Sequence, residues 1–314
     1  MSRIHEALQR AYLERGKVAS SGDVQLADPV ETFPGPVEAP PPPVKIELAL
    51  DTIAQHPWTP LLPSFPTLAD RGAAVEQFRG LRSHIYQARY ESPMKTVLIA
   101  SGMPAEGKSF VAANLAMTLA RNSIHNILLI DGDLRRPTLH TLLGAPNTVG
   151  LSNYLEGTAG MTEIMQRDSG HGKGASDGAG SIANLTFISS GKTSDNSSEL
   201  VANHRIEDLV QAAAPHFDWI VIDAPPVLAV TDAVELSRAA DAVLLVARAA
   251  STPFEVAQRA KEAFGSARIL GFVLNDIKRA PATGSYNYNY NYYYSQEQGS
   301  GAPPTQPKDS GSKG

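Results

Sequence analysis

The chain has 314 residues, 42% of them hydrophobic, enough for one α/β domain of roughly 200 residues with flanking segments. A net charge of −5 excludes the strong basic field that would hold nucleic acid or an anionic lipid surface. Cysteine is absent, which excludes disulfides, thiolate metal sites and cysteine nucleophiles.

The opening MSRIHEALQR carries charges where a signal peptide needs an apolar core, and no run approaches the ~18 apolar residues that cross a bilayer. The expectation is a cytoplasmic protein without direct membrane insertion, which another protein would have to bring to a membrane. Residues 1–19 read as an amphipathic helix, with Ile4, Ala7, Leu8, Ala11 and Tyr12 at helical spacing. It would pack on its own domain or dock on a partner. Residues 20–68 hold Pro34, Pro36, Pro40 to Pro43, Pro57, Pro60, Pro63 and Pro66 and read as an extended linker.

The domain proper is expected over 69–279. It opens with a helix over about 69–90 that carries Glu76, Arg79 and Arg82. Short apolar runs then alternate with helical segments: TVLIAS at 96–101, NILLID at 126–131, LTFIS at 185–189, WIVIDA at 219–224, AVLLVA at 242–247 and ILGFVL at 269–274. Continuous apolar runs suit strands of a parallel sheet buried on both faces. The fold class that follows is α/β, a doubly wound, mainly parallel sheet with helices on both faces. Residues 168–181, rich in Gly and Ser, read as an insertion, and residues 280–314 as a low-complexity tail holding YNYNYNYYY at 286–294.

Residues 102–109, GMPAEGKS, match G-x-x-x-x-G-K-[ST] between a predicted strand and a predicted helix at 108–121, which makes the domain a P-loop NTPase. Gly102 and Gly107 let the backbone turn its N–H groups toward phosphates. Lys108 places a charge on the β- and γ-phosphates, Ser109 offers a hydroxyl to Mg²⁺, and the helix N-terminus adds its positive dipole end. The nucleotide set is Gly102, Ala105, Glu106, Gly107, Lys108, Ser109 and Phe110. Two later strands end in IDGDLRRP and VIDAPP, which puts Asp131, Asp133 and Asp223 at C-terminal strand ends, the edge where open α/β sheets bind ligands. An Asp closing such a strand is a familiar Mg²⁺ ligand. A tyrosine hydroxyl, with a pKa of about 10, needs a base near it. Asp131 is the candidate base, with Asp133 and Asp223 on the metal.

SGMPAEGKS, ILLIDGDLRRP and WIVIDAPP together resemble the Walker A, A′ and B motifs of the bacterial tyrosine kinases, autokinases that govern capsule and exopolysaccharide export. Glu76, Arg79 and Arg82 match that family's E-x-x-R-x-x-R, which packs protomers into a ring, and both end in a tyrosine cluster. The opening MSRIHEAL is similar to stand-alone cytoplasmic members beside exosortase-type loci. The resemblance implies ATP and Mg²⁺, a homo-oligomer, a membrane chain-length-determinant protein as activator, and Asn275 on the adenine side. Two departures stand out. Ala105 replaces the glycine of the usual P-G-E-G-K-S, which is tolerable unless the position needs positive φ. The family's G-x-x-P-P-N-P-x-E-L is matched only by Gly191, Asn196, Glu199 and Leu200, with Ser194, Asp195 and Ser197 in place of its prolines.

Six of the ten tyrosines, Tyr286, Tyr288, Tyr290, Tyr292, Tyr293 and Tyr294, lie in the tail, which would be the substrate. Fully extended from Arg279, it reaches at most roughly 25 Å before the first of them, within reach of a neighbouring protomer's site. Six phosphates would add about −9 to −12 charges, which would loosen a ring by repulsion. One rival reading is a P-loop ATPase switch of the partitioning type, but Met103 stands where those proteins carry a signature lysine. Another is a nucleotide-binding scaffold that has lost catalysis, against which stand Lys108, Ser109 and the three carboxylates.

Overall fold

The computed structural model describes residues 50–69, 71–121, 124–170, 182, 184–192 and 197–277. The expected N-terminal helix, the tail tyrosines and residues 194–196 lie outside the described residues. Eight strands, β1 (Ala54–His56), β2 (Thr96–Ser101), β3 (Ile127–Asp131), β4 (Met165–Asp168), β5 (Leu185–Ile188), β6 (Trp219–Asp223), β7 (Ala242–Arg248) and β8 (Ile269–Asn275), form one sheet in the order β1-β4-β5-β3-β6-β2-β7-β8. Every pairing is parallel except β4 with β5.

The six apolar runs are β2, β3, β5, β6, β7 and β8. The side chains of β2, β3, β5, β6 and β7 alternate between two cores, whereas β8, at the sheet edge, leaves Phe272 and Leu274 exposed, contrary to the expected burial on both faces. Ile99, Leu129, Val221 and Leu244 face helices α1 (Ala73–Glu91) and α2 (Lys108–Ala120) through Phe78, Ile85, Val111, Leu115 and Leu119. Leu98, Leu128, Ile222 and Leu245 face the other side. After α2 the chain forms α3 (Leu139–Leu143), α4 (Leu151–Glu156), α5 (Ser197–Val201), α6 (Arg205–Ala213), α7 (Asp232–Ser237) and α8 (Phe254–Ala263). Leu151, Ile206, Leu209 and Leu236 of these helices, with Phe264 just past α8, fill the second core, while Leu139 and Leu143 of α3 join the first. Apolar on both faces, the strands must be covered twice, and the doubly wound arrangement follows.

Residues 50–68, expected to continue the proline-rich linker, instead pack on the domain. Ile53, Trp58 and Phe65 are buried, and Trp58 meets Phe187 edge to face at 6.0 Å between ring centres. The Trp58 N–H donates to Asp168 (3.1 Å), the Leu61 N–H to the Leu142 carbonyl (2.9 Å), and the Asn114 amide to the Ser64 carbonyl (2.9 Å). Pro63 and Pro66 sit in the first turns of the 3-10 helices Leu62–Ser64 and Pro66–Leu68, where a missing N–H costs nothing. Proline content excludes long helices and central strands but not a strap held by three aromatic or aliphatic anchors. The edge strand β1 and its neighbour β4 gave no apolar run to read: their sequences are AQH and MQRD.

Trp58→Ala is therefore expected to destabilise the domain by roughly 3–5 kcal/mol, the cost of emptying a large buried site. Urea unfolding measures it, and a midpoint equal to that of the unsubstituted chain would show the strap to be dispensable.

Candidate active site

β2 delivers the chain at Ser101 to the loop 102–107, and α2 leaves it at Lys108, so the P-loop lies at the C-terminal edge of the sheet. Gly107 has a φ of +95°, and a Cβ there would stand 1.9 Å from the Asn275 amide nitrogen. That position admits only glycine. Ala105 has a φ of +64°, so the one position where the family's usual glycine is replaced is a left-handed one. An L-residue there carries a strain of about 1–2 kcal/mol.

The register of β3 on β6 sets the acidic side of the site. Asp131 and Asp223 are paired positions, each closing its strand. Gly132 follows and donates its N–H to the Asp223 carbonyl (2.8 Å), where a Cβ would come within 2.7 Å of that oxygen. Glycine thus lets β3 turn away directly over the end of β6 and brings Asp133 back toward the loop. The Lys108 ammonium lies 3.0 Å from the Asp133 carboxylate and 3.4 Å from the Ser109 hydroxyl. Asp131, Asp133 and Asp223 are all buried.

The three carboxylates differ in what they hold. Asp131 accepts the N–H groups of Asp133 (3.3 Å) and Leu139 (3.1 Å), which orders the turn into α3. Asp133 accepts the Arg136 N–H (3.0 Å) besides Lys108. Asp223 has two buried oxygens and no hydrogen bond of good geometry to either. Burial pushes its pKa up to about 6, against the pull of Lys108 and the nearby Ser109 hydroxyl. Burial and the charge of Asp223 raise Asp131 well above the usual carboxylate range. Burial alone would lower Lys108, but the charges of Asp223 and Asp133 outweigh it and hold the ammonium above its ordinary value.

An orphaned buried carboxylate beside a P-loop serine fits a divalent cation: it offers hard oxygen donors and an uncompensated negative charge. Among the described residues no cluster of three or more His, Cys, Asp or Glu is placed to cage an ion. Mg²⁺ takes one or two carboxylates and completes its shell with water and phosphate oxygens. Ser109 and Asp223 are the residues that would hold it, with Asp133 next to them.

The remaining expected residues fall in three places. Glu106 is buried within the loop and accepts the Met103 N–H (2.8 Å) and the Thr252 hydroxyl. Asn275 closes β8 and donates to the Glu106 carbonyl (3.0 Å), so it touches the loop itself. Phe110 turns away and meets Phe78 of α1 at 5.9 Å. In α1, Arg79 pairs with Glu76 at 2.5 Å and Arg82 donates to the Thr118 carbonyl (3.2 Å). Arg79, Arg82 and Arg121 border a cleft of about 380 Å³ away from the P-loop. Sequence reasoning missed Thr252, which no motif marks, and Asp232. The latter accepts the hydroxyls of Ser197 (3.0 Å) and Ser198 (2.5 Å), so these serines tie the segment that departs from the family's proline pattern to α7. Among the described residues no helix is long and apolar enough to cross a membrane.

Two outcomes follow from this geometry. Ala105→Gly relieves the left-handed strain, partly offset by the freer unfolded chain, and is expected to stabilise the nucleotide-free protein by ~0.5–1 kcal/mol in urea unfolding. Asp223 binds its proton more tightly folded than unfolded. Its charge therefore lowers stability above pH 6, and that cost disappears as pH falls toward the unfolded value of about 4. Asp223→Asn should raise nucleotide-free stability at pH 8 by on the order of 1–3 kcal/mol, with the gain fading between pH 6 and 4. A gain that does not change with pH would contradict this assignment.

No protein-family model matches the chain. It is 37% identical over 205 residues to "Tyrosine-protein kinase YwqD" of Bacillus subtilis, covering 65% of this chain and 81% of that protein. It is 32% identical over 254 residues to "Tyrosine-protein kinase ptk" of Acinetobacter johnsonii, covering 76% of this chain but only 33% of that longer protein. Among solved structures, the kinase domain of the Escherichia coli tyrosine kinase ETK superposes with a TM-score of 0.58 at 33% identity, over 68% of this chain and 80% of that one. With a P-loop, two acid-tipped strands in register and this degree of likeness to YwqD, the chain belongs to the family of bacterial tyrosine kinases.

Proposed function

We propose that the protein is an Mg²⁺- and ATP-dependent tyrosine autokinase that phosphorylates its own C-terminal cluster at Tyr286, Tyr288, Tyr290, Tyr292, Tyr293 and Tyr294. The observation that carries this reading is the buried Lys108–Asp133 pair at 3.0 Å, flanked by Asp131 and Asp223 in register at the ends of two strands. A switch ATPase and a kinase share a P-loop. Six tyrosines beginning eleven residues after the last strand give a kinase its acceptor within at most roughly 40 Å of extended chain.

In this reading the loop amides and Lys108 bind the β- and γ-phosphates and take up charge as the γ-phosphoryl group moves. Mg²⁺, when bound, neutralises phosphate charge and orients the triphosphate. Asp131 accepts the phenolic proton: its raised proton affinity suits a base, and each oxygen keeps a lone pair beyond its backbone hydrogen bond. The tyrosine oxygen bonds to the γ-phosphorus, the bond to the β-phosphate oxygen breaks, and ADP leaves. Asp133 holds Lys108 toward the phosphates. Transfer runs between protomers of a homo-oligomer in which Glu76, Arg79 and Arg82 of α1 form the contact face. A membrane chain-length-determinant protein recruits and activates the oligomer at the inner face of the plasma membrane, where it regulates capsule or exopolysaccharide export. These last assignments rest on the family to which the chain belongs.

Incubation of the unsubstituted chain and Lys108→Ala with Mg²⁺-ATP, followed by phosphosite mass spectrometry, tests the central claim. Phosphotyrosine within 286–294 is expected in the former and at least ~100-fold less in the latter, the usual effect of removing a charge-stabilising group. ATP hydrolysis without phosphotyrosine, also in the presence of a membrane activator fragment, would overturn it in favour of a switch ATPase.

A further inference from the structure

The phosphate loop, whose task is to bind anions, contains a buried carboxylate of its own. Glu106 lies between Ala105, at a φ of +64°, and Gly107, at +95°. Two positive-φ positions one residue apart, one of them with a Cβ, persist only where the surroundings over-determine them. Glu106 is held at three points. One carboxylate oxygen takes the Met103 N–H at 2.8 Å, the other takes the Thr252 hydroxyl, and the Asn275 amide reaches the Glu106 carbonyl at 3.0 Å. Thr252 is itself oriented, because its oxygen accepts the Arg248 N–H at 2.9 Å and its only proton is then free for Glu106. Arg248 in turn grips Asp276 through Nε (2.9 Å) and Nη2 (2.7 Å), which joins the end of β7 to the residue after Asn275.

We infer that Thr252, on the β7–α8 connection, is a positioning residue for nucleotide binding: through Glu106 it clamps the phosphate loop in the strained form that receives phosphates. A carboxylate released from this clamp would be both buried without its partner and free to swing toward the phosphates, and it repels them in either case. The clamp deepens the nucleotide-site reading and rests on it. Thr252 acts through Glu106, so its effect should fall on nucleotide affinity rather than on the transfer step.

The test compares Thr252→Val, which keeps shape and loses the hydroxyl, with Thr252→Ser, which keeps the hydroxyl, in the full chain. Equilibrium binding of Mg²⁺-ADP is one arm, and amide hydrogen exchange of residues 102–110 without nucleotide is the other. Thr252→Val should weaken ADP about tenfold, the scale of one hydrogen bond to a charged group, and speed exchange at Met103, while Thr252→Ser behaves as the unsubstituted chain does. Combined with Ala105→Gly, which removes the strain, the valine variant should lose less affinity than it does alone. Unsubstituted affinity or unsubstituted exchange in Thr252→Val would overturn the clamp, as would a serine variant as impaired as valine. Should the unsubstituted chain bind no ADP, the nucleotide reading fails, and the exchange arm judges the clamp by itself.

Discussion

One ammonium among three buried carboxylates is the interaction on which this domain turns. Lys108 neutralises only part of the charge that Asp131, Asp133 and Asp223 bring to the sheet edge, and burial raises the proton affinity of both Asp131 and Asp223 against its pull. Such a concentration of buried like charge is unfavourable by itself, and a bound cation would relieve it. The scaffold must hold it regardless, and does so with backbone: Gly132 hydrogen-bonded to the end of β6, and the N–H groups of Asp133 and Leu139 on Asp131. Two apolar cores on either side of the sheet supply the stability that such an edge consumes.

How much of this could be read beforehand depends on how local the cause is. The central strands are legible because each is buried on both faces and so must be apolar throughout, as TVLIAS, NILLID and WIVIDA are. The P-loop and strand-end aspartates are legible because phosphate chemistry needs particular residue types at fixed spacing. β1 and β4 are not, because AQH and MQRD are short and mostly polar and carry no pattern of their own. Thr252 is not, because it meets Glu106 from 146 residues away. Its role comes from the parallel neighbours β2, β7 and β8, whose loops all emerge at one edge.

Ala105 shows how a departure from a family motif should be weighed. The substitution alone suggests a small volume change. The backbone shows a residue forced into a left-handed turn, with flanking contacts strong enough to keep it there. The same loop thus carries both a defect and its compensation, and only the three-dimensional arrangement connects them.

The strap over residues 50–68 has a kinetic consequence. β1 closes on β4, and Trp58 on Asp168, across about 110 residues, and the strap is also tied to Leu142 and to Asn114 of α2. Contacts between distant segments repay their loop-closure entropy only after the intervening structure exists. The strap is anchored on three separate later segments, so it can dock only after these have come together. Residues 54–56 must therefore wait for residues 166–168 to be made before they can pair at all.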